Sequence, residues 1–232
     1  VGHTATDARH GALAEAGVTP AIGLPDALAP ADCVLLAVPG SARQREVTEA
    51  LQAAGVAAPA RAVFIGTTGY YGPHPRGPVD EATPAGVSAR AQTAADAERA
   101  FRAWAGEGGV VLRCGGLYRP GRGPMSALQR RGTAPEGPPD KTLALIHYAD
   151  AASAALAALR HPAPKATYLA VTPPCPSRLA FYTAACVLLD LPTPRFTAPL
   201  GGAPAEHDVR ALRADLLPTP AHPKWQEALV PA

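Results

Sequence analysis

Residues Ala62–Pro73, AVFIGTTGYYGP, constrain this chain more than any other stretch. Val63, Phe64 and Ile65 form an apolar run that stops at Gly66-Thr67-Thr68-Gly69, and Tyr70, Tyr71 and Gly72 follow. A strand that is apolar on both sides belongs inside a parallel sheet covered on both faces. Its abrupt end at glycine and threonine marks a carboxyl edge, where open α/β sheets bind their ligands. About one strand–helix repeat further on, Val110-Val111-Leu112 repeats the pattern and runs into RCGGLYRPGR, Arg113–Arg122. Two strands that deliver Thr, Tyr, Gly and Arg to one edge make a candidate site.

The remaining segments fit the same sheet. Val1–Thr6 reads as a strand, Asp7–Ala16 as a helix closed by Gly17, and Thr19–Leu24 as a short strand. Asp26–Ala31 is a connector, and CVLLAV, Cys33–Val38, is a strand that stops at Pro39-Gly40. Ser41 is placed to cap a helix over Ala42–Ala54. Gly72–Val87 reads as a Pro/Gly loop, and Ser88 opens a long helix, Ala89–Ala105, with Phe101 and Trp104 turned to the core. Further along come a helical piece at Ser126–Arg131, a mobile loop at Thr133–Asp140 and an Ala/Leu helix from Asp150 to Leu159. A strand at Thr167–Val171, a helix at Ser177–Leu189 and an irregular coil at Pro192–Ala205 follow, then a short helix at Asp208–Leu216. Strand–helix alternation of this kind predicts α/β with a parallel sheet.

Composition narrows the function classes. A net charge of +2 over 232 residues argues against a nucleic-acid or membrane-surface partner. Ala, Gly, Pro and Arg are heavy and lysine is scarce, the bias of GC-rich bacterial coding, so the prolines are not read as disorder. Cys33, Cys114, Cys175 and Cys186 lack metal-like spacing and fit buried thiols of a reducing cytoplasm. The seven histidines are scattered without ligand spacing, so no metal is expected.

Taken together, these segments resemble the extended and atypical short-chain dehydrogenase/reductase superfamily, the NAD(P)-dependent epimerase/dehydratase-like group. Gly66–Gly72 is similar to its S-S-x-x-V-Y-G segment, and Arg113–Arg122 to its R-x-x-x-x-Y-G-P-G-R. His147-Tyr148-Ala149-Asp150 resembles its H-V-x-D, and LLPTPAHPKW its C-terminal segment. The resemblance implies a doubly wound, Rossmann-like parallel sheet as the NAD(P)-binding part over 1–112 and 142–172, and a smaller, C-terminal substrate-binding portion over 113–141 and 173–232. It also implies NAD or NADP as cofactor, a small polar or nucleotide-sugar-like substrate, and room for a homodimer.

Two departures from the family pattern stand out. Family members begin with a strand and a G-x-x-G-x-x-G turn that seats the pyrophosphate on a helix N-terminus. This chain instead opens on what aligns with their second strand, so the first βα unit is expected to be missing, as from a truncated record. The Tyr-x-x-x-Lys acid–base pair is also absent, because the long helix begins SARAQT, Ser88–Thr93.

The resemblance assigns roles that each have a plainer counterpart. Thr67 and Tyr71 are the expected catalytic polar groups; Thr67 equally suits a turn that bonds its own backbone, whereas for Tyr71 a ring covering the core is the favoured reading. Ala37, Val38, Pro39, Gly66, Gly115, Gly116 and Leu117 are expected at the cofactor, or simply at strand ends and turns. Arg113, Tyr118, Arg122 and His147 are expected at the substrate, the arginines through bidentate contact with phosphate or carboxylate. Asp150 also suits a helix start. Ala5 stands where NADP-preferring members carry Arg, with Asp7 and Arg9 close by, so the choice of dinucleotide stays open. The alternative is a dinucleotide-binding sensor or scaffold without catalysis.

Overall fold

The computed structural model describes all residues except 24–30, 74, 76, 135–136, 197–203 and 230–232. Four parallel strands form its central sheet: β3 (Cys33–Leu36), β4 (Arg61–Thr67), β6 (Gly109–Cys114) and β9 (Thr167–Ala170), in the order β3-β4-β6-β9. The strands earlier in the chain, β1 (Gly2–His3) and β2 (Pro20–Ala21), pair with each other in parallel as a separate ladder. Strand β3 is therefore an edge among the described residues, with Leu35 47% exposed on it.

Period-two alternation explains how each face of the sheet is covered. Phe64 and Val111 point to one face, where they meet Val47 and Leu51 of α2 (Ser41–Ala53) and Ala97, Phe101 and Trp104 of α3 (Ala89–Ala105). Val63, Val110, Leu112 and Tyr168 point to the other, against Ala151, Ala154, Ala155 and Ala158 of α5 (Tyr148–Arg160). Helices on both faces of a parallel sheet make the doubly wound arrangement expected from the sequence. The other helices are α1 (His10–Glu15), α4 (Pro124–Arg131), α6 (Arg178–Leu188) and α7 (Arg210–Asp215). A third cluster joins Tyr118, Met125 and Leu128 to Phe181, Tyr182, Ala228 and Leu229. Residues Ala205, Val209, Leu212, Leu216 and Leu217, in contrast, pack with the sheet's own core.

Local chemistry sets the helix boundaries. Ser88 Oγ accepts from the Ala91 amide at 3.3 Å, and Ser177 Oγ from Ala180 at 3.0 Å, so both expected caps form. Ser41 does not cap: it is the first helical residue, and Gly40 takes the N-cap position at φ 86°, open to glycine. Two short ladders lie outside the expected strands. Gly77–Val79 (β5) pairs in parallel with Ala205–His207 (β10), and Gly116–Tyr118 (β7) with Leu145–His147 (β8). Three-residue ladders carry too short a pattern to be seen in sequence. The connector expected at Asp26–Ala31 lies almost wholly outside the described residues. Among those residues, no helix is long and apolar enough to cross a membrane.

Candidate active site at the carboxyl edge of the sheet

A cleft of about 410 Å³ opens where β4 and β6 end. Its lining comes from several places in the chain: Thr67 and Thr68 at the end of β4, Ser88 and Arg90 at the start of α3, Lys141–Ala144, and His207 on β10. Gly115 and Gly116 complete it from the end of β6. Strand geometry fixes this grouping. The β4–β6 register sets Gly66 opposite Arg113 and Thr67 opposite Cys114, so both strands stop at the same level.

Thr67 combines its two expected readings. It lines the cleft, and its Oγ1 accepts from the Gly69 amide at 3.0 Å, leaving the hydroxyl proton free to be donated. Around it, Thr68, Ser88 and Thr142 add hydroxyls, that of Thr142 donating to the Ala205 carbonyl at 3.1 Å. Burial holds the His207 imidazole well below its ordinary range, at about 4, so it is neutral at pH 7. Burial and the charges of Arg178 and Arg90 pull the Lys141 ammonium down as well.

Tyr71 and Arg113 lie elsewhere, behind the sheet edge in the core. Arg113 is 4% exposed and meets the Glu98 carboxylate through Nε and Nη2, each at 3.0 Å. Its Nη1 donates to the Tyr71 hydroxyl and to the Glu81 carbonyl, each at 3.1 Å, and its plane lies 3.5 Å over the Tyr70 ring. Burial works against this charge, but Glu98 more than offsets it and the guanidinium stands above its ordinary pKa. The Tyr71 hydroxyl in turn donates to the Asp80 carbonyl at 2.8 Å, and burial raises it to about 12. Acid–base work expected of Tyr71 and anion binding expected of Arg113 both give way to one structural network, because period two turns Arg113 to the same face as Val111, where α3 presents Glu98.

The other expected residues divide similarly. Gly66, Gly115 and Gly116 owe their lack of side chain to close packing. A Cβ on Gly115 would stand 3.0 Å from the Ala144 backbone, and one on Gly66 would stand 3.3 Å from Phe64. Leu117 is half-buried in the sheet core, and Ala37, Val38 and Pro39 follow the end of β3. Tyr118 is buried in the third cluster and Arg122 is exposed in a turn with Arg119. None of Leu117, Tyr118, Arg122 or His147 lines the cleft. His147 is the N-cap of α5, its Nδ1 accepting from Ala149 at 3.1 Å, and its ring lies 3.5 Å from that of His222. Asp150 is 1% exposed and accepts from the amides of Ala221 and His222, tying the C-terminal segment to the start of α5.

Arg90, Lys141 and His207 were missed by sequence reasoning. Arg90 had a signal: it sits two residues after the Ser88 cap, on the turn that enters the sheet edge. Lys141 and His207 had none, because the segments that carry them reach the cleft only through tertiary pairing.

The residues present suit the nicotinamide-ribose end of a dinucleotide, which asks for hydroxyl donors and glycine backbone at a strand end. Gly66, Gly69 and Gly72 also have G-x-x-G-x-x-G spacing, but a 3₁₀ turn, Thr68–Tyr71, lies among them and the next element is the strand β5 rather than a helix. The context needed to seat a pyrophosphate is therefore not formed there. Gly72 instead lies against Gly86, where a Cβ would come within 2.8 Å of it.

No protein-family model matches the sequence, and no curated protein matches it. Solved structures do match its fold. A functionally unknown conserved protein from Silicibacter pomeroyi superposes with a TM-score of 0.80 at 24% identity, over 99% of this chain and 87% of that one. UDP-glucuronic acid 4-epimerase from Bacillus cereus, in complex with NAD, gives 0.70 at 16% identity, over 95% and 82%. The human epimerase family protein SDR39U1, with NADPH, gives 0.66 at 18% identity, over 95% and 92%. This chain has the Rossmann-like fold of these proteins.

Proposed function

We propose that this protein is an NAD(P)-binding enzyme of the atypical epimerase/dehydratase or reductase kind, acting on a small polar or nucleotide-sugar-like substrate. The observation that carries the reading is the cleft itself: a polar, hydroxyl-lined hollow at the carboxyl edge of a doubly wound parallel sheet. NAD- and NADPH-bound neighbours of the same fold support it.

Thr67, Thr68 and the Gly115–Gly116 backbone would hold the nicotinamide end, and the Ala37–Pro39 edge would border the rest of the cofactor. When bound, the nicotinamide supplies hydride acceptance and return. The chain's own contribution is to orient the substrate and handle its proton. The Thr67 hydroxyl can donate to a substrate oxygen while Gly69 fixes its orientation. With no Tyr-x-x-x-Lys in α3, the groups left to take or give a proton in the cleft are His207, which burial keeps neutral at pH 7, and Lys141, whose ammonium burial pulls down from its ordinary range.

Calorimetric titration with NADH and NADPH tests the reading, followed by turnover assays on UDP-glucuronic acid and UDP-glucose. Binding of either dinucleotide with saturable stoichiometry is expected, and absence of both sinks the proposal. Binding without turnover, and without loss on His207→Asn, favours the second reading, a dinucleotide-binding sensor. The replacement of the acid–base tyrosine by other chemistry at the start of α3 favours that alternative.

A further inference from the structure

We infer that the cleft recognises an oxyanion, a carboxylate or phosphate borne by the substrate, between the side chains of Arg90 and Lys141. The inference extends the reading above by naming the substrate's charge, and rests on it for treating the cleft as a substrate site.

Among the described residues, the lining carries two cations and no acidic residue. Arg90 enters from the first turn of α3 and Lys141 from the segment ahead of β8, so the two charges reach the cleft from separate elements. Among the described residues neither is part of an ion pair, whereas Arg113, Arg45, Arg99 and Arg210 all are. Like charges that face one cleft unneutralised raise its potential and favour a negative guest. Burial acts first against the proton of Lys141, and the charges of Arg178 and Arg90 add to it. A guest anion would remove that repulsion. The surroundings suit an oxyanion rather than a halide. Thr67, Thr68 and Ser88 offer hydroxyls, and α3 points its positive end, 17 residues of aligned peptide dipole, toward the same space. A planar guanidinium on one side supplies paired donors for two oxygens, and the ammonium supplies a point charge.

Lysine acylation tests this without any dinucleotide, so its failure is separate from failure of the NAD(P) reading. The protein has three lysines, Lys141, Lys165 and Lys224, which peptide mass spectrometry resolves individually. A neutral acylating reagent, N-acetoxysuccinimide, is used with inorganic phosphate, malonate, or sodium chloride at matched ionic strength. At an oxyanion concentration about ten times its Kd, acylation of Lys141 is expected to slow about tenfold, with Lys165 and Lys224 unaffected. The oxyanion that protects at lower concentration identifies the group as phosphate or carboxylate. Arg90→Gln is expected to abolish protection, and Arg90 is exposed, so the variant keeps its fold. Equal protection by chloride, no protection by either oxyanion, or full protection in R90Q overturns the inference.

Discussion

Arg113 and Arg90 show how differently two arginines of one chain are employed. Arg113 is held by Glu98, Tyr71 and Glu81 with its side chain 5% exposed, and Glu98 is equally enclosed. Truncating Arg113 strands a buried carboxylate, so R113A is expected to destabilise by about 3–5 kcal/mol, read as a lower denaturant midpoint at unchanged m. Arg113→Lys is expected to recover only part of that loss, because one ammonium cannot serve Glu98 bidentately and reach Tyr71 as well. Arg90→Gln is expected to stay within about 0.5 kcal/mol of the parent. The sequence held the information to separate the two. Glu98 lies between Ala94, Ala97 and Phe101 on the apolar stripe of α3, and a carboxylate there requires a cationic partner on the sheet face it meets. Arg113, two residues from Val111 in a strand, is the one that period two supplies. The motif drew attention to the residue's chemistry, whereas strand parity decided where it points.

At the scale of elements, long patterned segments were legible and short ones were not. Helix α3 spans Ala89–Ala105 as its Ser88 cap and glycine stop require, and β6 contains the expected Val110–Leu112. β5, β7, β8 and β10 have three residues each, too few for a period, and exist because they find distant partners. The junction of α5 with the C-terminal segment belongs to this scale. Asp150 was read as a helix-start acid, and it stands in the first turn of α5, but its two oxygens are taken by the Ala221 and His222 amides. In Asp150→Asn one acceptor oxygen becomes a donor facing an amide. The variant is expected to lose about 1–3 kcal/mol and to become protease-sensitive after Leu217, while the rest of the chain stays protected. Limited proteolysis with mass mapping checks it, and unchanged cleavage would assign the anchoring to Trp225, which packs on Phe181, instead.

For the whole molecule, the α/β layering followed from apolar runs and helix stripes, whereas the separation of the β1–β2 ladder from the four-stranded sheet is set by strand pairings that no apolar run reveals. The site's electrostatics also act globally through His207. Its folded pKa, about 4, lies below the ordinary histidine value, so the unfolded chain binds the proton more readily. Its contribution is therefore full above pH 6.5 and lost progressively as pH falls toward 4, by at most about 3 kcal/mol. Thermal scans across that window are expected to show Tm falling with pH, with a shallower slope in His207→Asn. An equal slope in the variant would place the titration elsewhere.

The pairing of β5 with β10 has a consequence for the order in which the molecule comes into being. Gly77–Val79 must wait for Ala205–His207, which leave the ribosome more than a hundred residues later, and His207 reaches the cleft only through that ladder. A nascent chain that has emerged through β9 can lay down all four strands of its main sheet, with α2, α3 and α5 against them, yet still lack one wall of the cleft. Completion of the cleft is thus a late event in synthesis, set by the arrival of β10 rather than by the sheet on which it rests.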